Sequence, residues 1–84
     1  MDPWRNTPNI GPVLAGNLEK IGVAGPAQLQ KLGAEEAFLR IRAQVDPTAC
    51  LHQLEALAGA AEGVKKSLLP PARKAELKAW YRKL

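Results

Sequence analysis

The sequence predicts an all-α fold, a compact orthogonal bundle of about five short helices. Proline and glycine divide the 84-residue chain into short segments whose apolar residues recur at helical spacing, and no segment alternates as a strand does. Apolar residues make up 46% of the chain but aromatic residues only 5%, which is typical of packed short helices. Segments this short are unsuited to a long antiparallel bundle.

The first two helices are each predicted to begin at a proline. The first runs from Pro12 to Ile21, and Gly22 follows it in a position suited to a left-handed C-terminal cap. The second begins at Pro26 and ends at Gly33, so it is barely two turns long and depends on packing against its neighbours. The residues at apolar helical spacing are Val13, Leu14, Leu18 and Ile21 in the first helix, and Leu29 and Leu32 in the second.

The third helix is predicted from about Ala34 to Gln44. Its apolar face carries Phe38, Ile41 and Val45. Glu36 and Arg40 form a solvent-side i,i+4 pair, and Leu39 lies off the buried face.

Asp46 is predicted to cap a fourth helix that has Pro47 in its first position and ends near Gly63. The apolar arc of this helix comprises Cys50, Leu51, Leu54, Leu57, Ala58 and Ala61. A connection over residues 64–69 leads to Pro70 and Pro71, which begin the last helix. The residues expected to face inward there are Leu77, Trp80, Tyr81 and Leu84.

We expect residues 1–7 to form a flexible leader, unless Trp4 docks on the core, and residues 8–84 to form the helical domain. The sequence contains neither a signal peptide nor an apolar run near the roughly 20 residues that span a bilayer, so we expect no membrane partner. A single cysteine, Cys50, excludes an internal disulfide and favours a reducing, cytoplasmic compartment.

Positive charge is concentrated in the last quarter of the chain. The net charge is +4, but residues 63–84 carry seven basic side chains and one acidic side chain, whereas the first 62 residues sum to −2. Within the last helix, Lys74, Lys78 and Arg82 form a stripe that spans roughly 80° of the helix circumference. This end of the chain either faces a polyanion or simply keeps a helix surface hydrated.

The sequence predicts no catalytic residues, no metal site and no cofactor. His52 falls on the polar side of its helix, and Cys50, about 200° away around the same helix, is expected to be a small core residue. The adjacent Glu35 and Glu36 point in different directions and favour the positive N-terminus of the third helix. No phosphate-binding P-loop or dinucleotide fingerprint is present.

The turn from Pro8 to Pro12 opens directly into the first helix. Its first-turn N–H groups lack intrahelical partners and suit a phosphate, although Pro12 contributes no N–H; the alternative interpretation is an ordinary helix start. The stretch Pro8–Ala15 resembles the hairpin of helix-hairpin-helix domains, with Asn9 at the position of the first glycine. Asparagine tolerates left-handed backbone better than most residues.

Four short motifs in order resemble the C-terminal domain of the TfoX/Sxy family. They are Asn9-Ile10-Gly11-Pro12, then Leu18 to Val23, then Leu29 to Phe38, and the distal Leu51 to Ala60, and the match continues through Leu69-Pro70 and the basic helix. The resemblance implies a SAM-like or helix-hairpin-helix-like domain from a bacterial cytoplasmic regulator of DNA transformation competence. Family members commonly carry an N-terminal α/β domain as well, so we expect an excised domain or a free-standing version.

Two functional hypotheses follow. The first is a non-enzymatic regulatory module that contacts the phosphate backbone of DNA or a DNA-bound transcription regulator protein. The second is a SAM-like protein-interaction domain that binds a partner or self-associates as a homodimer, without direct contact to nucleic acid. The candidate binding residues are Asn9, Ile10, Gly11, Val13 and Leu14 in the turn, and Lys74, Lys78 and Arg82 in the last helix.

Overall fold

Five α-helices form the part of the chain that this computed structural model describes, residues 3–84. They are α1 (Pro12–Lys20), α2 (Pro26–Leu32), α3 (Ala34–Gln44), α4 (Leu51–Glu62) and α5 (Pro71–Arg82), with a short 3-10 helix at Lys66–Leu68. No residue in this range lies in a strand, so the predicted all-α class is confirmed. Helix α4 is central, since it contacts α2, α3, α5 and the 3-10 helix, and the molecule measures 35 × 26 × 20 Å.

Prolines begin three of the helices. Pro12, Pro26 and Pro71 lie in the first turns of α1, α2 and α5. Proline suits this position because the first N–H groups of a helix have no intrahelical partner and the ring holds φ near the helical value. Gly22 and Gly33, which follow α1 and α2, have φ of 87° and 90°, a region that glycine enters without a Cβ clash. The predicted starts of α1, α2 and α5 and the predicted range of α3 are confirmed.

The predicted start of α4 is wrong. Asp46 does not cap the helix; its Oδ1 accepts hydrogen bonds from the backbone N and the Oγ1 of Thr48, at 2.9 and 2.6 Å. These bonds close a local turn and lower the pKa of the Asp46 carboxyl. The helix begins at Leu51, with Cys50 as its N-cap. The helix starts later than predicted because an aspartate two residues before a threonine favours a turn over a helix cap. Cys50 therefore precedes the helix, where it is exposed, and is not the core residue that the sequence predicted.

The core is apolar and gathers side chains from all five helices. Its largest fully buried members are Phe38, Leu18, Leu29, Ile41, Leu54, Leu57 and Leu77. Trp80 and Tyr81 of α5 pack edge-on against Phe38, with ring centroids 6.1 and 5.9 Å away. Such geometry adds about 0.5–1.5 kcal/mol per pair beyond the area buried. The predicted buried face of α3 is confirmed, and Leu39 is exposed as expected.

Besides Cys50, two residues assigned to apolar faces are exposed. Val13 is 78% exposed, because the nine-residue helix α1 buries only a narrow face that carries Leu14 and Leu18. Leu84 is 52% exposed, since α5 ends at Arg82 and the residues beyond it leave the inward-facing register.

Trp4 lies in the core with 2% of its surface exposed. Of the two alternatives considered for residues 1–7, a flexible leader or docking of Trp4 on the core, Trp4 adopts the second. Met1 and Asp2 lie outside the described residues. The Trp4 carbonyl accepts a hydrogen bond from the Thr7 N–H at 3.0 Å, which closes a turn in this segment. The division into a leader and a domain at residue 8 stays a prediction.

None of the helices found within residues 3–84 is both long enough and apolar enough to cross a membrane.

Candidate interaction surfaces

The turn before α1 has the left-handed backbone expected at Asn9, whose φ is 70°. The Asn9 side chain, however, is used inside the fold. Its Nδ2 donates to the carbonyl oxygens of Val64 and Ala56 at 2.9 and 3.4 Å, and its Oδ1 accepts from the backbone N–H of Lys66 at 2.9 Å. Asn9 thus fastens the turn to α4 and to the start of the 3-10 helix, and its side chain is not free to hold a ligand.

A glycine makes this attachment possible. A Cβ on Gly59 would lie 2.5 Å from Asn9 Nδ2, 2.7 Å from the Val64 carbonyl oxygen and 3.3 Å from the Lys66 Cα. Only glycine lets the segment after α4 and the turn before α1 approach α4 this closely. The position of the candidate turn therefore depends on a residue in the middle of α4.

An open groove of about 400 Å³ lies beside the turn. Its lining comprises Gly11, Pro12, Val13 and Leu14 together with His52, Gln53, Ala56 and Lys66. Of the predicted turn residues, Gly11, Val13 and Leu14 therefore share one surface. Ile10 is half-buried against the core instead.

Sequence reasoning missed His52, Gln53 and Lys66 as members of this groove. His52 is a surface residue as predicted, with 80% of its side chain exposed and Nδ1 3.9 Å from Glu55 Oε1. Lys66 belongs to the basic segment, and that excess of charge was the available signal. Its location beside α1 depends on the hydrogen bond to Asn9, which spans 57 residues of sequence.

The second candidate surface lies on α5, which contains Lys74, Lys78 and Arg82. Lys78 and Arg82 are exposed and Lys74 is half-buried. A spacing of four residues places successive members of this row about 6 Å apart along the helix axis. No ion pair involves any of the three within residues 3–84.

Arg73, the neighbour of this row, is fully engaged by carboxylates. Its Nη1 and Nη2 donate to the two carboxylate oxygens of Glu35, each at 3.1 Å. Its Nε donates to Glu62 Oε2 at 3.3 Å, and Nη1 also donates to Glu76. The bonds with Glu35 raise the pKa of the Arg73 guanidinium and lower the pKa of the Glu35 carboxyl. Arg73 therefore connects α5 to α3 and α4 and contributes no free positive charge.

Within residues 3–84, no group of three or more histidine, cysteine or acidic side chains is arranged to hold a metal ion. Cys50 and His52 are both exposed, on α4's N-cap and first turn.

Within residues 3–84, the five-helix bundle, the groove and the row of unpaired cations define a small all-α domain. Its sequence matches the family described as the TfoX C-terminal domain over residues 2–81, and the chain belongs to that family. This confirms the resemblance seen in the sequence. The family is a regulatory type of domain and is not a known family of enzymes.

Two crystal structures from Listeria monocytogenes are similar to this chain. A triclinic form of an uncharacterized protein superposes with a TM-score of 0.91 at 38% identity, and the match covers 99% of this chain and 92% of that chain. A tetragonal form of a protein of unknown function has a TM-score of 0.88 at 41% identity, covering 93% of this chain and 94% of that chain. Among curated proteins, none matches the sequence.

Proposed function

We propose that this chain is a non-enzymatic regulatory module that contacts DNA, or a transcription complex bound to DNA, through the face of α5. This is the role that the resemblance to TfoX/Sxy regulators of transformation competence implies. The observation that carries it is the row Lys74, Lys78 and Arg82, in which no side chain is ion-paired within residues 3–84.

The ion pairs of Arg73 strengthen the case for this face. Glu76 is the only acidic residue between positions 63 and 84, and Arg73 binds it together with Glu35 and Glu62. These carboxylates are directed toward Arg73 and pair with none of the lysines of α5, although one positive charge against three leaves the cluster negative. A surface of unpaired cations attracts phosphates and gains free energy when they release their counterions.

The groove beside α1 provides a second place for the same partner. Gly11 caps the N-terminus of α1, where backbone N–H groups lack helical partners, and Lys66 lines the groove nearby. Asn9 holds this arrangement in place and makes no direct contact with the partner. The candidate contact residues of the turn are then Gly11, Val13 and Leu14, with Lys66 added.

A fluorescence anisotropy titration with labelled duplex DNA tests the proposal. If three to five phosphates are neutralised, log affinity falls against log salt with a slope of about −3 to −4. The triple variant with Lys74→Glu, Lys78→Glu and Arg82→Glu is expected to abolish binding.

A matched control makes the same change of charge elsewhere, with Arg5→Glu, Lys20→Glu and Lys31→Glu. All three residues are exposed and none forms an ion pair within the described chain. Binding by this control with a smaller loss of affinity would support the α5 face. No binding by the unmodified protein at low salt would remove the proposal of DNA contact.

A second candidate is a protein-interaction role for the groove beside α1. Val13 lines this groove with 78% of its surface exposed, beside the apolar Pro12 and Ala56. Apolar side chains presented in this way are typical of interaction sites when they form a contiguous patch.

Sedimentation at several concentrations tests self-association, which Val13→Lys should abolish. A monomer at every concentration would contradict the homodimer, and a different protein partner would then need its own binding assay.

A further inference from the structure

We infer that the α5 face recognises the phosphate backbone of double-stranded DNA and does so independently of base sequence. This inference rests on the proposed function and specifies the substrate class of the same surface. It depends on the side chains that flank the cations, on the placement of the aromatic residues and on the length of the row.

Small side chains flank the row of cations on one side. The exposed residues of α5 outside the row include Ala72, Ala75 and Ala79, whose methyl groups neither donate nor accept hydrogen bonds. They let the helix approach a nucleic acid closely on that side, whereas the half-buried Tyr81 borders the row on its other side.

Planar groups that read base edges are almost absent from α5. Direct readout uses hydrogen bonds from Arg, Lys, Asn, Gln, Asp or Glu to the base edges, and the planar groups among them form the most specific pairs. The helix contains no Asn, Gln or Asp, and Arg73 and Glu76 are bound to each other. Among the planar groups of α5, Arg82 alone remains, and a single arginine specifies at most one base pair. Lysine ammonium groups act as point charges and suit phosphates.

The burial of the aromatic residues disfavours binding of single-stranded nucleic acid. Single-stranded nucleic acid is held by bases that stack on exposed aromatic faces, in addition to charge. Trp80 and Tyr81 are half-buried and pack edge-on against Phe38, and Arg42 lies 5.8 Å from the centre of the Tyr81 ring. Trp4 is buried. Within residues 3–84, no Trp, Tyr or Phe side chain is exposed, and the exposed His52 lies on α4.

The length of the row fits the spacing of phosphates along one strand. Lys74 and Arg82 are eight residues apart, so the row extends about 12 Å along α5. Phosphates of one strand rise 3.4 Å each along the duplex axis and also wind around it, so a straight row of this length can reach about three of them. A duplex offers roughly twice the charge per unit length that a single strand offers.

The test compares three 20-nucleotide probes by fluorescence anisotropy: an A·T-rich duplex, a G·C-rich duplex and a mixed-sequence single strand. We expect the two duplexes to bind with dissociation constants within about threefold, and the single strand to bind at least about fivefold more weakly. Ala79→Lys adds a cation beside the row and should steepen the salt slope by about 0.9. Ala27→Lys, at an exposed position of α2, is the matched control and should leave the slope unchanged, because α2 packs on α3 and α4.

The outcomes separate this inference from the proposed function. A preference above tenfold between the duplexes, or tighter binding of the single strand, overturns the inference and leaves DNA contact standing. Equal steepening by Ala79→Lys and Ala27→Lys overturns the assignment to α5. No binding of any probe at low salt contradicts both the inference and the proposal on which it rests.

Discussion

Gly59 and Gly16 are both helical glycines, but their surroundings predict opposite effects of substitution. A Cβ at Gly59 would meet Asn9 Nδ2 at 2.5 Å, whereas a Cβ at Gly16 would meet nothing within 4 Å. Gly59→Ala should lower the free energy of unfolding by about 1–2 kcal/mol, because overpacking outweighs the gain in helix propensity. Gly16→Ala should raise it by about 0.5–1 kcal/mol. Urea unfolding followed by circular dichroism measures both, and equal signs would contradict the packing.

Asn9 combines a left-handed backbone with three hydrogen bonds to distant residues. Asn9→Ala should lower the free energy of unfolding by about 2–4 kcal/mol, because the three hydrogen bonds are lost. Alanine also tolerates a φ of 70° less well than asparagine does. Asn9→Gly keeps the backbone permissive and should lose about 1 kcal/mol less. The same urea titrations apply. Identical unfolding of Asn9→Ala and the unmodified protein would show that this attachment contributes nothing.

At the scale of elements, Arg73 joins the start of α5 to the start of α3 and the end of α4. Glu35 and Glu62 come from those two helices, so the guanidinium fixes the position of α5 relative to both. Arginine suits this role because its planar fork binds Glu35 with two parallel hydrogen bonds. The consequence for the surface is that the basic end of the chain presents its cations from the row and not from Arg73.

This contact predicts a dependence of stability on pH. The hydrogen bonds from Arg73 lower the pKa of the Glu35 carboxyl in the folded protein below its ordinary 4.5. The contact between Glu35 and Arg73 therefore contributes its full share of the free energy of unfolding above pH 4.5. This share is lost as the pH falls through the lowered pKa of Glu35. Glu35→Gln should cost about 1 kcal/mol at pH 7 and much less at pH 2, measured by urea unfolding at both values. Glu19→Gln, at an exposed position without an ion pair, is the control.

For the molecule as a whole, local sequence signals predicted the helices well and the long-range contacts poorly. Proline and glycine mark α1, α2 and α5 because their effect on the backbone is local. The start of α4 was missed because the turn at Asp46 competes with a helix cap over a few residues. The groove could not be predicted, because Lys66 is held beside the turn before α1 by a hydrogen bond to Asn9. That hydrogen bond spans 57 residues of sequence.

The burial of Trp4 predicts that the first residues contribute to the stability of the whole domain. Pro3, Asn6, Thr7 and Pro8 line a cleft with Pro26 of α2 and with Ala60 and Gly63 at the end of α4. Trp4 itself is 2% exposed, so truncating it leaves a large cavity in a small core.

Trp4→Ala should lower the free energy of unfolding by about 3–5 kcal/mol, a large part of the 5–15 kcal/mol typical of a domain. Deletion of residues 1–7 should cost at least as much, whereas Arg5→Ala, at an exposed neighbour, should change it by less than about 0.5 kcal/mol. Urea unfolding followed by circular dichroism compares the three variants. If residues 8–84 unfolded at the same urea concentration as the full chain, residues 1–7 would be an independent leader and the docking of Trp4 would be energetically irrelevant.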